Sequence, residues 1–257
     1  MGVIHFESED QAFARGGNRW CFVDPENNGR CIKVARADRT PEIKRAKKKF
    51  PANLKRLSSF DDNREEYSVY ARIDQCVGEQ AYELIPRCYG FVETSLGKGL
   101  VTELVRDSDQ CISMSLKQYL WQNGYTDELK AVVEQFKSRW AELGMPSRNL
   151  LLHNIVVKQK EGVIDRLVVI DGLGWPDLIP FAYFSKSLAR KKASRKAQRL
   201  DSAIEKLLQV KAENGDWGYH GWLEQDKREM GLNVESTASI EKLEKLENIV
   251  KEDTSND

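Results

Sequence analysis

The sequence predicts an α+β protein with two lobes, in which a small antiparallel β-sheet with one helix precedes a mainly helical lobe. Three observations lead to this prediction. Short runs rich in β-branched and aromatic residues come in pairs within residues 1–105, and a turn signal separates the members of each pair. Residues 106–215 hold longer segments with apolar residues at helical spacing, and one further hairpin pattern interrupts them. Residues 216–257 form a polar tail that we expect to be partly disordered.

The elements of the first lobe follow from local signals. The stretch WCFVDPENNGRCIKVAR, residues 20–36, is typical of a strand, a turn and a second strand, with DP and NG in the turn. Residues 40–60 are basic and contain two prolines, which indicates a helix fragment and a loop. From Asn63, the stretch NREEYSVYARIDQCV has helical spacing. CYGFVET and GLVTELV, joined by the turn SLGKG, complete the predicted sheet.

The second lobe begins with helices whose ends are marked by capping residues. SLKQYLWQNG is a short helix that Gly124 ends, and TDELKAVVEQFKSRWAELG is a longer one. Thr126 or Asp127 is the expected N-cap of the longer helix, and Gly144 is its expected stop. Residues 181–213 form a basic helical region, and beyond about residue 234 we expect disorder or a loosely docked helix.

A predicted hairpin brings two polar side chains together. Strand signals lie at residues 155–157 and 167–170, and the polar stretch KQKEGVIDR between them suits a loop. If the strands pair antiparallel, Asn154 before the first lies beside Asp171 after the second. An amide oxygen and a carboxylate suit Mg²⁺, with phosphate and water completing its shell. The alternative interpretation is that Asn and Asp stand at strand ends because they form turns.

Composition excludes some classes of protein and leaves others open. Of the 257 residues, 40% are hydrophobic, and 40 Lys and Arg balance 40 Asp and Glu, so net charge favours no particular partner. Five cysteines without a CxxC pair indicate reduced thiols in the cytoplasm rather than zinc or disulfides. We expect no signal peptide and no membrane span. Basic residues at 44–56 and 186–199 are compatible with binding a polyanion, but a solvated helix face is the simpler interpretation, so nucleic acid is not the expected partner.

The order of parts along the chain is that of a nucleotide triphosphate site. Such a site needs a glycine-bearing turn near the phosphates, a lysine to neutralise them, a glutamate to hold that lysine, and two oxygen ligands for Mg²⁺. Here GG precedes the first strand, Lys33 lies in CIKVAR on the second, and a helix with Glu65 and Glu66 follows. The hairpin with Asn154 and Asp171 comes last. This order predicts a site for a nucleotide.

This order resembles the protein-kinase-like fold, and the chain is similar to the YrbL family of PhoP regulatory network proteins. The resemblance is carried by GGNRWCFVDPENNGRCIKV, EEYSVYARI, IPRCYGFVETSLGKGLVTELV, the hairpin NIVV…VVIDGLG and LIPFAYFSKSL. It covers about residues 14–190, and the tail beyond about residue 215 lies outside it. IPRCYGFVET and DLIPFAYFSKSL belong to the smaller family, whereas the Lys and Asp motifs are those of kinases at large.

The resemblance implies a role for each residue that would act on phosphate and metal. Lys33 would contact the α- and β-phosphates of ATP, and Glu66 would be its ion-pair partner. Asn154 and Asp171 would hold Mg²⁺ or Mn²⁺. Other interpretations stay open at two places, because Lys33 could be a solvated strand lysine and Glu65 could take the role given to Glu66.

The resemblance also implies where the rest of the nucleotide would lie. The segment 102–105, TELV, would be the hinge whose backbone meets adenine, with Glu103 and Val105 as the contacting residues. Gly16 and Gly17 would approach the phosphates. A pair of glycines is a weak signal, and it is also compatible with a flexible lead-in to the first strand.

The chain departs from the kinase pattern where catalysis is concerned. The residue five positions before Asn154 is Asn149, where kinases carry the Asp that accepts the substrate's proton. An amide cannot act as a base near neutral pH, although it can orient a nucleophile, so Asn149 joins Lys33, Glu66 and Asp171 in the candidate catalytic set in that role. The DFG-like motif reads DGLG, which keeps the Asp and lacks the Phe.

Two functions therefore remain at the level of sequence. In the first, the protein is an atypical ATP-dependent phosphotransferase that acts on an unknown protein or small molecule without the usual catalytic Asp. In the second, it is a pseudokinase that binds nucleotide and works as a regulatory or scaffold protein. Retention of the Lys and of both metal-binding residues favours nucleotide binding in either case.

Overall fold

A computed structural model describes residues 2–175, 185–216, 218, 220–224 and 226. The first lobe is a five-stranded antiparallel sheet with the order β1-β2-β3-β5-β4. Its strands are β1 (Ala14–Arg15), β2 (Arg19–Asp24), β3 (Asn27–Ala35), β4 (Cys88–Thr94) and β5 (Gly97–Glu103). The four strands predicted from sequence are present, and the short β1 adds a fifth at the edge beside β2.

Alternation along β3 assigns the two faces of this sheet. Ile32 and Val34 are fully buried and pack with Phe22 of β2 in an apolar cluster on one face. Cys31 and Lys33 point to the opposite face, which borders the second lobe. Gly99 of β5 allows the strands to pack this closely, because a β-carbon there would lie 2.5 Å from Cγ2 of Ile32.

Two helices connect the sheet strands, as the sequence predicts. Helix α1 (Pro41–Ala46) is short, begins with proline at its first turn and is capped by Thr40. Helix α2 (Asp62–Cys76) is capped by the Asp61 side chain, which accepts hydrogen bonds from the next turn. Helix α2 packs on β3, β4 and β5, and the polar residues of its first turns face the border between the lobes.

The second lobe contains helices α3 (Leu116–Asn123), α4 (Asp127–Leu143) and α5 (Lys186–Ala212). The predicted ends of α4 are confirmed, since the Thr126 side chain caps Leu129 N–H and Gly144 adopts a left-handed conformation with φ of 66°. Helix α5 packs on α4 along one stripe, so its basic residues lie on the remaining surface. The buried stripe consists of Ala193, Ala197, Leu200, Ile204 and Leu207.

The predicted hairpin is formed by β6 (Ile155–Lys160) and β7 (Val163–Val169), which pair antiparallel with Ile155 opposite Val169. The long loop expected at residues 158–166 is wrong, because both strands continue to a turn at Glu161 and Gly162. These residues have φ of 53° and 80°, which is the geometry of a tight two-residue hairpin turn. The charged residues of this stretch lie within the strands, because one side of the hairpin is exposed to solvent near the turn and accommodates them.

The described residues thus form a two-lobed α+β protein, in which an antiparallel sheet with its helix precedes a mainly helical lobe. The larger apolar core lies in the second lobe and includes the apolar side of α2. Among the described residues, no helix is long and apolar enough to cross a membrane. The predictions for the stretch 176–184 and for the tail beyond residue 226 lie outside the described residues.

Candidate functional site

A cleft of about 400 Å³ lies between the sheet and the helical lobe. Most of the residues singled out from the sequence line it, although they come from separate parts of the chain. They are Gly16, Gly17, Lys33, Glu66, Glu103, Val105, Asn154 and Asp171. Asn149 is not among the residues that line the cleft.

The Lys33 ammonium group is fixed at the inner end of the cleft. Its Nζ donates to Oε1 of Glu66 at 2.7 Å and to the carbonyl oxygen of Ile170 at 2.8 Å. Lys33 and Glu66 are buried, so the ion pair is shielded from water. Burial lowers the pKa of Lys33, but the charges of Glu66 and Asp171 together outweigh that effect and hold the pKa above its ordinary value. Lys33 therefore stays positively charged and lies beside Ile170, the residue that precedes Asp171.

The structure also separates the two candidate glutamates. Glu66 takes the position beside Lys33, whereas Glu65 forms an ion pair with Arg148 at the rim of the cleft. The side chain of Glu65 is half-exposed and that of Glu66 is buried. Helical geometry explains the difference, because adjacent residues point about 100° apart around the axis.

Arg19 is a cleft residue that the sequence interpretation missed. It is the first residue of β2, and its guanidinium forms ion pairs with both Glu66 and Asp171. The distance from its Nη2 to Oδ2 of Asp171 is 2.9 Å, and Nη1 also donates to Oδ1 of Asn63 at 3.1 Å. Burial lowers the pKa of Arg19, but the charges of Glu66 and Asp171 outweigh that effect and hold the pKa well above its usual value.

The hairpin places Asn154 and Asp171 at one end, as the sequence predicts. Ile170 N–H donates to the Asn154 carbonyl oxygen at 2.8 Å, and Asp171 follows directly. Gly172, with φ of 77°, turns the chain so tightly that a β-carbon there would lie 3.0 Å from Nδ2 of Asn154. Enclosure in the cleft raises the pKa of Asp171, whose side chain is half-exposed, but the charges of Arg19 and Lys33 outweigh that effect and hold the pKa well below its ordinary value. Asp171 is therefore an anion.

The donor set fits Mg²⁺ in type, since one carboxylate and one amide oxygen with phosphate and water make an ordinary shell for that ion. Among the described residues, no group of three or more His, Cys, Asp or Glu forms a metal site, so such a shell would depend on phosphate. Both oxygens of Asp171 already accept hydrogen bonds, Oδ2 from Arg19 and Oδ1 from Gly172 N–H at 2.6 Å. A metal at Asp171 would have to share Oδ2 with a guanidinium.

Asn149 lies close to the turn at Gly172, and its side chain is next to Lys196 of α5. Nζ of Lys196 is 3.4 Å from Oδ1 of Asn149 and also donates to the carbonyl oxygen of Arg148. The backbone of Asn149 is close to Gly172, because a β-carbon on Gly172 would lie 2.9 Å from the Asn149 carbonyl oxygen. Asn149 thus lies near the end of the hairpin that carries Asn154 and Asp171, with its side chain directed at Lys196.

The hinge segment offers one backbone donor to the cleft. Glu103 N–H donates to Arg87 and Leu104 N–H to Gly29, each at 2.8 Å, so these groups are satisfied within the sheet region. The Val105 carbonyl oxygen accepts from Ser113. Among the described residues, Val105 N–H has no hydrogen-bond partner, and Val105 lines the cleft. A backbone N–H without a protein partner beside a cleft suits a position that a ligand acceptor completes.

The glycine turn connects β1 to β2 above the cleft. Gly16 N–H donates to the Arg19 carbonyl oxygen at 2.8 Å and closes the turn. Gly16 and Gly17 have ordinary φ values, and a β-carbon on Gly17 would meet no other atom within 4 Å. The backbone conformation therefore does not require glycine at either position.

Residues 7–205 match the family described as PhoP regulatory network protein YrbL. The chain belongs to the YrbL family. It is 29% identical over 218 residues to the YrbL proteins of Escherichia coli (strain K12) and Shigella flexneri, which covers 79% of this chain and 91% of each relative. It is also similar to a crystal structure of Rad53 residues 1–466 in complex with AMP-PNP, with a TM-score of 0.41 and 16% identity over 72% of this chain and 42% of that one.

This YrbL-family chain closes one side of its cleft with residues that follow the matched region. Trp222 is buried and lines the cleft, and Glu224 N–H donates to the Phe13 carbonyl oxygen at 2.9 Å. The Ser115 hydroxyl donates to the carbonyl oxygen of Gly221. The segment 220–224 therefore contacts both lobes. The sequence analysis placed these residues in a polar tail, and the three aromatic residues of DWGYHGW were the available signal that part of this tail packs.

Proposed function

We propose that this YrbL-family protein binds ATP in the cleft between its lobes. The observation that carries the proposal is the fixed position of Lys33, which Glu66 holds on one side and the Ile170 carbonyl oxygen on the other. An ammonium held beside Asp171 and below a glycine turn is the arrangement that nucleotide phosphates require. A buried lysine that only stabilised the fold would not need a second anion and an open glycine turn nearby.

The proposed roles follow from position in the cleft. Lys33 contacts the α- and β-phosphates, Glu66 keeps the ammonium in place, and the turn at Gly16 and Gly17 covers the phosphates. Val105 N–H donates to adenine, which supplies the partner that this group lacks among the described residues. Glu103, the other predicted hinge contact, borders the same pocket.

Magnesium fits this proposal with one restriction. Asn154 and Asp171 would hold Mg²⁺ or Mn²⁺, and the ion would neutralise charge on the phosphates. The restriction is Arg19, because its guanidinium already occupies Oδ2 of Asp171.

We further propose that the reaction is phosphoryl transfer to a protein or small-molecule acceptor. Such transfer depends mainly on positioning and charge neutralisation, so loss of the catalytic Asp lowers the rate without abolishing it. In this proposal, Asn149 orients the acceptor hydroxyl and does not remove its proton. Free thiols at all five cysteines support a cytoplasmic location for the protein.

A second function is favoured by Asn149 itself. Its side chain faces Lys196 and does not line the cleft, which supports a pseudokinase that binds nucleotide and acts as a regulatory or scaffold protein. Both functions share nucleotide binding and differ only in turnover.

ATP turnover and autophosphorylation, each measured with Mg²⁺ and with Mn²⁺, decide between the two functions. The comparison is wild type with Asp171→Ala, and Asp165→Ala is a matched control because Asp165 is a β7 aspartate outside the cleft. Phosphoryl transfer predicts turnover in wild type and the control, and loss of at least tenfold in Asp171→Ala. Binding of ATP with equal background turnover in all three proteins supports the pseudokinase. Absence of both binding and turnover contradicts the proposal.

A further inference from the structure

Arg19 puts a second fixed positive charge at the innermost point of the cleft. Its guanidinium contacts Asn63, Glu66 and Asp171, and its side chain is 9% exposed. Three acceptors from α2 and from the end of the hairpin leave this planar group little freedom to move. Arg19 is therefore a buried, firmly held part of the site and not a surface residue that swings in.

The charges at this point cancel because of Arg19. Lys33, Glu66 and Asp171 alone sum to one negative charge, which repels the phosphates of a nucleotide unless a divalent cation is present. The guanidinium supplies the missing positive charge permanently. At the rim, Arg148 and Glu65 pair with each other and leave this balance unchanged.

Both oxygens of Asp171 accept hydrogen bonds from protein groups. Oδ2 accepts from Arg19 at 2.9 Å, and Oδ1 accepts from Gly172 N–H at 2.6 Å. A divalent cation that binds Oδ2 must approach a guanidinium of the same sign, and this repulsion weakens metal binding. Phosphate oxygens, in contrast, are attracted by both Lys33 and Arg19.

We propose that Arg19 takes over at Asp171 the charge neutralisation that a divalent cation performs, so that the cleft binds nucleotide phosphates without requiring a metal. This inference rests on the proposed nucleotide binding and adds the reason why that binding does not require a metal. Arg19 acts by holding Asp171 and Glu66 and by attracting phosphate, and it takes no part in bond making.

Isothermal titration of the full chain with ATP, once in EDTA and once in excess MgCl₂, tests this inference. For wild type, the affinities for ATP in EDTA and in MgCl₂ are expected to agree within about threefold, because Arg19 already balances the charge of the site. Arg19→Gln is expected to lose at least tenfold in EDTA and to recover most of that loss in MgCl₂, where the metal can reach Asp171. Arg19→Lys keeps the charge, and its affinity for ATP in EDTA is expected to lie between those of wild type and Arg19→Gln.

Arg139→Gln is the control, because the Arg139 guanidinium also pairs with two carboxylates, those of Glu83 and Glu142, and lies outside the cleft. It is expected to bind as wild type does in both buffers. A wild-type affinity that falls more than thirtyfold in EDTA overturns the inference and leaves the proposed nucleotide binding intact. ATP binding in neither buffer, by protein with a normal unfolding transition, overturns both. If Arg19→Gln does not fold, the wild-type comparison and Arg19→Lys still decide.

Discussion

Replacing Glu66 with glutamine removes the anion that two buried cations share. Lys33 Nζ lies 2.7 Å from Oε1 of Glu66, and Arg19 donates to Oε2, so the substitution weakens two charge-assisted hydrogen bonds and leaves buried positive charge without full compensation. Breaking a buried pair in this way costs about 3 kcal/mol or somewhat more. For a chain of this size, a loss of about 3 kcal/mol lowers the melting temperature by about 6–12 °C.

Glu65→Gln is the control, because the two residues are neighbours on α2 and the same chemical change is made in each. The Glu65 side chain is 46% exposed and that of Glu66 is 8% exposed, so loss of the Glu65–Arg148 pair is expected to cost less than about 1 kcal/mol. Urea unfolding followed by circular dichroism measures both variants. Equal destabilisation by the two substitutions would refute the assignment of Glu66 as the shared partner of Lys33 and Arg19.

Two further predictions concern Asp171 and the segment around Trp222. The pKa of Asp171 is depressed in the folded chain, so its contribution to stability is present above about pH 4 and is lost as pH falls further. The difference in free energy of unfolding between wild type and Asp171→Asn should therefore shrink between pH 6 and pH 3, and urea titrations that find it constant would contradict this. Gly221→Ala should release the segment around Trp222, because φ is 104° and a β-carbon would lie 2.8 Å from Cβ of His153. The expected result is red-shifted tryptophan emission, and an unchanged emission maximum would argue against a docked segment.

The parts of the fold that the sequence predicted are those with local signals. Thr126 and Gly144 mark the ends of α4 through capping chemistry that acts within a few residues. The approach of Asn154 and Asp171 followed from the pairing of two adjacent strands, where register carries the information. The length of the hairpin loop could not be predicted, since polar residues also occupy exposed strand positions, and Glu161 gave no sign of its positive φ.

The parts that the sequence missed depend on contacts between distant residues. Arg19 meets Asp171 across 152 positions, and nothing in the local stretch GGNRWC distinguishes it from a solvated arginine. Glu65 and Glu66 could be separated only by the orientation of α2 relative to Lys33, which tertiary packing decides. The same holds for Trp222, whose burial depends on contacts of its segment with residues of both lobes.

Hydrogen–deuterium exchange with and without ATP tests most directly whether distant segments form a single nucleotide site. Protection on adding ATP is expected together in three peptides, which cover residues 14–20, 102–106 and 169–174, and the amide of Val105 should contribute strongly because it has no partner among the described residues. The basic peptide 186–199 of α5 serves as an internal control that should not change. Protection confined to that basic peptide, or to a single one of the three, would contradict the account.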